Sequence, residues 1–442
     1  MLERRPTVGI LTLGCKVNQY ESEAIAEAFQ KKGFDAVLHG NDARDVYVIN
    51  TCTVTAESDR KAGQLVRRVR AKSPNAFILV TGCLAQSAPE RVSALEGVDD
   101  ICGNTDKLSV VEAACRLLVS GKKPSAPAVR IGDVMSAPFE PMEITHFERT
   151  RAYVKIEDGC ENRCSYCAIP AARGRVRSKP LEDVVSEVTG LVANGCREVV
   201  LTGIETASWG RDLFGVTLAD LLEAVDRIPG IGRVRLGSLD PSLMKQAFVD
   251  RIAALRHLAP HFHISMQSGS SAVLAAMKRK YNRDQALAGI RRLRAAIPEV
   301  ELTTDFIVGF PGETEADFAD TLSFAAEAEF LSMHVFAYSR REGTVAASLP
   351  HQIPTAVKKE RSAALIALGA KLQEKRLCRA MQSPLREVLF ESFENGLAIG
   401  HTDSFLEVAA PSPSPLHSRL CAVKLTGVSE GRLLSEIQEV LT

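Results

Sequence analysis

The 442-residue sequence predicts a multidomain α/β protein: an N-terminal parallel-sheet domain, a central partial (β/α)6 barrel and a small C-terminal all-β barrel. Three observations predict it. Apolar strand-length runs alternate with helical periods from residue 7 to about 120, and again from about 150 to 339, the pattern of parallel sheets with right-handed crossovers. Between these series, Gly121 to Arg149 carries Pro124, Pro127, Pro138 and Pro141 and shows no period. From Leu385 onward the pattern changes to short strands with Gly and Pro turns. The expected boundaries are 1–120, a linker at 121–149, 150–381 for the barrel and its connecting helix, and 382–442.

The elements follow in order. Thr7–Leu13 is an apolar strand. Asn18 with Glu21 reads as an N-cap and N3 pair opening a helix, with Ile25, Ala28 and Phe29 on its apolar face and Gly33 closing it. Val46–Ile49 and Ala76–Val80 are the next strands, with a helix containing Leu65, Val66 and Val69 between them. In the second series the strands are Tyr153–Ile156, Glu198–Thr202, Arg233–Leu236, His261–Met266, Leu302–Val308 and Met333–Tyr338. Six such units make an incomplete barrel, smaller than the closed eight-unit form. Val357–Ala380 is one charged helix.

Composition narrows the function classes. Apolar residues make up 45% and charged residues 24%, which excludes large-scale disorder. Lys+Arg and Asp+Glu are 54 each, so a nucleic-acid partner has to be argued from local patches. No apolar run approaches the roughly 18 residues of a membrane span. Met1–Arg5 is basic, and Leu11–Cys15 looks like a lipoprotein cleavage box. The apolar stretch before that cysteine reads equally as a buried strand, and the chain is expected to be cytoplasmic, with no membrane partner. Eleven cysteines, an odd number, argue against a disulfide framework and for metal ligation or catalysis.

Cys160, Cys164 and Cys167 form the one tight cluster. Three thiolates within eight residues can hold three corners of an iron–sulfur cube and leave the fourth iron open. The competing reading is structural zinc, which wants four closed ligands, and no further Cys or His follows nearby. The cluster comes directly after the first strand of the barrel series, where parallel folds place ligands. Cys15, Cys52 and Cys83 are far apart in sequence, yet each follows immediately on one of the first three predicted strands. In a parallel sheet those strand ends share one edge, so the three can converge on a second cluster. The alternative is three buried cysteines acting as small hydrophobes.

The motifs extend these readings. Cx3CxxC opening a β/α series resembles the radical S-adenosylmethionine superfamily, in which the open iron is chelated by the methionine moiety of the cofactor. Thr12–Ser22, Asn50–Thr55 and Thr81-Gly82-Cys83 resemble the three cysteine signatures of the methylthiotransferases within it. The contexts of Cys15 and Cys52 are similar to those of the branch acting on threonylcarbamoyladenosine in tRNA, and the resemblance covers essentially the whole chain. It implies two 4Fe-4S clusters, on Cys15/Cys52/Cys83 and Cys160/Cys164/Cys167. It also implies S-adenosylmethionine as radical source and methyl donor, tRNA as substrate, and an external flavodoxin- or ferredoxin-like electron donor. A separate sulfur donor is possible, and a monomer is expected. The C-terminal domain resembles the TRAM module, with Gly400–Asp403 as its turn.

By the same resemblance, Tyr166 lies near the adenine, and Gly203 and Glu205 belong to the methionine-binding turn. Gln267 and the Ile307–Gly309 edge, with Val308 at its centre, line the cofactor pocket. Glu205 departs from the residue usual in this branch, and Glu342 stands where proline is usual. Three basic runs are candidates for phosphate contact or ordinary solvated faces: Arg67–Lys72, the Arg173, Arg175, Arg177 run to Lys179, and Lys278–Arg283. Residues 382–442 carry four Lys/Arg against eight Asp/Glu, contrary to the footprint of an RNA binder, although Phe405 offers a ring for base stacking. The implied activity is addition of a methylthio group to carbon 2 of a modified adenosine beside the anticodon. The alternatives are the same chemistry on isopentenyladenosine or a ribosomal protein, and a non-catalytic iron–sulfur carrier.

Overall fold

The computed structural model describes residues 4–40 and 42–441, so Met1–Glu3 of the basic N-terminus lie outside it. The first domain is a six-stranded sheet, parallel throughout. Its strands are β1 (Thr7–Thr12), β2 (Asp35–Leu38), β3 (Val46–Thr51), β4 (Phe77–Gly82), β5 (Asp100–Cys102) and β6 (Ala128–Arg130), in the order β2-β1-β3-β4-β5-β6. One apolar cluster, with Ile25, Phe29 and Val110, covers one face of the sheet. A second, with Val66, Val69 and Val92, covers the other. β1, β3 and β4 are where the apolar runs predict them, because central strands buried on both faces read as continuous hydrophobic sequence.

Two expectations change. The segment 121–149 is not a plain linker. β6 adds to the sheet edge beside β5, and Met142 and Ile144 are buried in the core of the next domain. β6 has three residues, none of them buried, so it carries no hydrophobic signature. Asn18 and Glu21 do not cap the helix Lys16–Lys31, whose N-cap is Cys15 in extended conformation. Both side chains are buried. Asn18 donates to the carbonyls of Leu13 and Thr51 at 2.7 and 3.0 Å, tying the β1 and β3 ends together.

The second domain begins with β7 (Ala152–Lys155), followed by a short antiparallel pair, β8 (Glu157–Asp158) and β9 (Arg177–Ser178). The array continues through β10 (Glu198–Thr202), β11 (Arg233–Leu236), β12 (His261–Gln267), β13 (Glu301–Val308) and β14 (Ser332–Ala337). Two parallel three-stranded sheets, β11-β10-β7 and β12-β13-β14, meet through single bridges at Val234–Leu258 and Leu239–Ile264. The result is six strands in sequence order, open between the edge strands β7 and β14. Thr355–Ala380 is a 26-residue helix running from β14 to the last domain. There β15 (Leu385–Glu394), β16 (Leu397–Thr402), β17 (Glu407–Pro411), β18 (Leu420–Ser429) and β19 (Arg432–Val440) close into a barrel in the order β15-β16-β17-β19-β18. Among the described residues, no helix is long and apolar enough to cross a membrane.

Candidate active site

A cavity of about 310 Å³ opens at the carboxyl ends of the barrel strands. Cys160, Cys164 and Cys167 line it, from the loop that follows β7 and β8, together with Tyr166 and Asn162. Ile204 and Glu205 come from the end of β10, Ser265 and Gln267 from β12, and Asp305 and Ile307 from β13. Val54 and Thr55 of the first domain complete the wall, so the loop after Cys52 overhangs the same space. That loop is tied down. Arg341 donates to Asp59 at 2.9 Å and to Thr53 Oγ1 at 2.7 Å.

The predicted positions divide. Tyr166, Glu205 and Gln267 line the cavity. Gln267 has φ +71°, a left-handed backbone that a non-glycine residue holds only under constraint. Val308 does not line the cavity. It is fully buried in the barrel core, and strand alternation gives its neighbour Ile307 the inward position. Gly203 is not at the wall either; it serves a close approach. A Cβ there would stand 2.7 Å from Glu157 Oε2. Glu157 passes beneath the turn and accepts the Glu205 N–H at 2.8 Å. Burial holds the Glu157 carboxyl far above the ordinary range. Burial, with the nearby Asp240 charge, raises Glu205 to about 7.

Cys15, Cys52 and Cys83 sit at the ends of β1, β3 and β4, on one sheet edge. The Cys15 loop and Cys52 approach closely at Gly14, where a Cβ would stand 2.8 Å from Cys52 Cβ and 3.1 Å from its Sγ. In neither triad do all three sulfurs lie within 4.8 Å of one another. Among the described residues, His263, Asp305 and His334 form the only group whose ligand atoms all lie within 4.8 Å of one another. Three thiolates on one zinc, at about 2.3 Å each, would bring the sulfurs within about 4 Å. The wider triads suit a polynuclear cluster. A buried guanidinium also addresses each: Arg279 Nη1 donates to Cys164 Sγ at 3.3 Å, and Arg173 Nε to Cys83 Sγ at 3.2 Å. Such donors fit anionic sulfur better than neutral thiols. Burial pushes Cys160 up to about 12, and Cys52 and Cys167 up to about 11, so these thiols stay protonated until a metal displaces the proton.

The basic runs are mostly structural. Arg173 is fully buried, bonding Glu21 at 2.7 Å, Asp158 at 3.0 Å and Asn18 at 2.6 Å. Lys107 and Lys155 join it on Glu21. Arg177 is buried, donating to the Arg173 carbonyl at 2.9 Å and pairing with Asp158. Arg173 and Arg177 are therefore not RNA contacts but part of a buried ion network joining the first domain to the barrel. Arg175 is the exposed member of the run. In the third run, Arg279 turns inward to the cavity, bonding Asp240 at 2.7 Å and Tyr281 Oη at 2.9 Å. No sequence signal separates it from its exposed neighbours Lys278 and Lys280. In the first run, Arg67, Arg68 and Lys72 remain exposed. Phe405 is not free to stack on a base. Its ring lies between His261 and His401, with centroids 4.6 and 4.5 Å away.

The profile of the Radical SAM superfamily matches residues 154–325, and that of Uncharacterized protein family UPF0004 matches residues 7–103. The chain is 36% identical to the threonylcarbamoyladenosine tRNA methylthiotransferase MtaB of Bacillus subtilis, over 99% of this chain and 98% of that one. Identity to the MtaB of Thermotoga maritima is 41%, over 80% of each chain. The tRNA-2-methylthio-N(6)-dimethylallyladenosine synthase of Moorella thermoacetica is 34% identical over 99% of both chains. Among solved structures, the cobalamin- and [4Fe-4S]-bound radical S-adenosylmethionine methyltransferase TsrM of Kitasatospora setae shares the fold, with TM-score 0.57, 16% identity, and coverage of 78% of this chain and 77% of that one.

Proposed function

The chain belongs to the tRNA methylthiotransferase family of radical S-adenosylmethionine enzymes, and we propose that it adds a methylthio group to carbon 2 of N6-threonylcarbamoyladenosine at position 37 of tRNA. The observation carrying this reading is one cavity walled by the Cys160/Cys164/Cys167 loop on one side and by the loop following Cys52 on the other. The reacting C–H bond is unactivated, so no side-chain acid or base removes its hydrogen usefully. When bound, a cluster with S-adenosylmethionine supplies a 5′-deoxyadenosyl radical for that step, and a second cluster supplies the sulfur that another S-adenosylmethionine methylates.

The protein's part is placement. Cys160, Cys164 and Cys167 hold one cluster, and Cys15, Cys52 and Cys83 the other. Tyr166, Glu205, Gln267 and Ile307 shape the cofactor's bed, while Arg279 offsets charge on Cys164. Gly203 acts indirectly, by leaving room for Glu157 to fix the Glu205 turn. Arg175 is the candidate phosphate contact in its run. An external flavodoxin- or ferredoxin-like protein supplies the electron.

Nucleoside mass spectrometry of tRNA from a deletion strain tests the substrate. Loss of 2-methylthio-N6-threonylcarbamoyladenosine, with its unthiolated precursor accumulating, is the expected outcome. Loss of a 2-methylthio isopentenyl nucleoside instead would assign the chain to the other tRNA branch. Release of 5′-deoxyadenosine by the reduced protein separates an enzyme from a cluster carrier.

A further inference from the structure

A second cavity, of about 380 Å³, lies in the amino-terminal half of the barrel lumen, beneath the first. Asp305 lines the upper cavity, and its carboxylate bonds His263 at 3.2 Å and His334 at 3.0 Å, both of which line the lower one. Tyr153 of β7 and His334 of β14 both contribute, so the lower cavity reaches the open seam between these edge strands. Lys16, next to Cys15, projects in from the first domain, and Phe405 of the C-terminal barrel forms the floor.

The wall carries more positive charge than it balances. Arg151 and Arg235 of the wall, with Arg233 behind it, converge on the buried carboxylate of Glu198 at 2.5, 2.8 and 3.0 Å, and Arg151 also pairs with Glu391 at 2.5 Å, which leaves Lys16 as the cation without a carboxylate. Arg235 is 2% exposed, and its Nη1 has no hydrogen-bond acceptor. His261 is also buried, with Nδ1 unpartnered. Lys16 makes no ion pair or hydrogen bond among the described residues. The one acidic residue in this lower wall, Glu407, is paired outward with Arg432 at 3.0 Å. A buried donor left unmet, such as Arg235 Nη1, costs free energy, while Lys16 is an exposed cation at the cavity wall with no carboxylate of its own.

We propose that this cavity receives the N6 substituent of the target adenosine, and that Lys16 and Arg235 bind the carboxylate of its threonyl group. This rests on the threonylcarbamoyladenosine reading above and adds the residues that enforce it. A guanidinium nitrogen without an acceptor and a free ammonium suit a carboxylate. They reject an isopentenyl group, because burying that group would leave both donors unpaired. The adenine ring then lies beside Asp305, with its substituent directed down the lumen.

The test uses anaerobically reconstituted holoenzyme and anticodon stem-loop RNAs bearing threonylcarbamoyladenosine, its threonyl methyl ester, or isopentenyladenosine. Affinities come from competition anisotropy, and iron content is measured for every variant. The wild-type protein should bind the acid at least about tenfold more tightly than the ester. Lys16→Met should lower that ratio severalfold, chiefly through weaker binding of the acid, and Lys16→Arg should preserve it. Equal wild-type affinities for acid and ester overturn the proposal, and so does an unchanged ratio in Lys16→Met with full iron. If the wild-type enzyme methylthiolates the acid RNA but fails to distinguish the ester, this inference falls and the substrate reading stands. If it methylthiolates only the isopentenyl RNA, the substrate reading falls.

Discussion

At the level of single residues, burial decides what a charge does, and sequence does not report burial. Arg173 and Arg175 stand two residues apart in one basic run, yet the first is fully buried on Glu21, Asp158 and Cys83 while the second faces solvent. The six cysteines were legible because their chemistry needs a position, just past a strand, that the apolar pattern already marks. Arg279 was not, because nothing local distinguishes an inward guanidinium. Glu23 shows the cost of a buried charge with poor compensation. It is 5% exposed, its Oε2 has no partner, and Arg149 stands 3.9 Å away. Burial, with Glu148 and Glu27 nearby, raises its carboxyl from 4.5 to about 7. A carboxyl raised on folding binds more protons folded than unfolded, so its contribution is complete below the unfolded value and is lost as pH rises through the folded one. The loss is about 3 kcal/mol between pH 4.5 and 7. Glu23→Gln should therefore match wild type in thermal unfolding near pH 4.5 and exceed it at pH 8. A constant difference across that range would show that folding leaves the Glu23 carboxyl at its ordinary value.

At the level of elements, the long apolar strands were legible and the short polar ones were not. β3 and β4 are buried along their whole lengths and declare themselves by composition. β2, β5 and β6, of four, three and three residues, take their places from neighbours already set. The loop Cys52–Thr55 is positioned in the same way. It has no regular structure, and its place over the barrel mouth comes from Arg341 on Asp59 and Thr53, and from the Ala56 N–H on Ser339 Oγ at 3.4 Å. Asp59 keeps a second partner, Arg91 at 3.0 Å, so removing Arg341 leaves no unpaired buried charge. Arg341→Ala should thus fold and hold its iron, but loosen the overhang. The number of 5′-deoxyadenosine molecules released per methylthiolated nucleoside should rise severalfold. An unchanged ratio would mean the overhang is held by packing alone.

At the level of the whole molecule, sequence conveyed three domains but not how they interlock. Glu21, Lys107, Lys155, Asp158 and Arg173 come from both of the first two domains and meet in one buried network. The C-terminal barrel, acidic overall, places Phe405 against His261 and within cation–π reach of Arg235, 4.9 Å away. That domain acts here as a floor for the lumen, and the Phe405 ring is committed there rather than to base stacking. The interlock makes a definite demand on chemistry. Cys15, Cys52 and Cys83 belong to the sheet domain, and Cys160, Cys164 and Cys167 to the barrel, and each set has its own guanidinium. The two sites should therefore load and fail separately. Reconstituted protein should bind about eight irons, four to each set. Converting Cys15, Cys52 and Cys83 together to Ala should leave roughly half the iron and preserve 5′-deoxyadenosine release under reduction, while abolishing the methylthio product. Cys164→Ala should abolish both. If the first variant still methylthiolates normally, the three strand-end cysteines are packing residues, and the sulfur must reach carbon 2 by a route that bypasses the sheet domain.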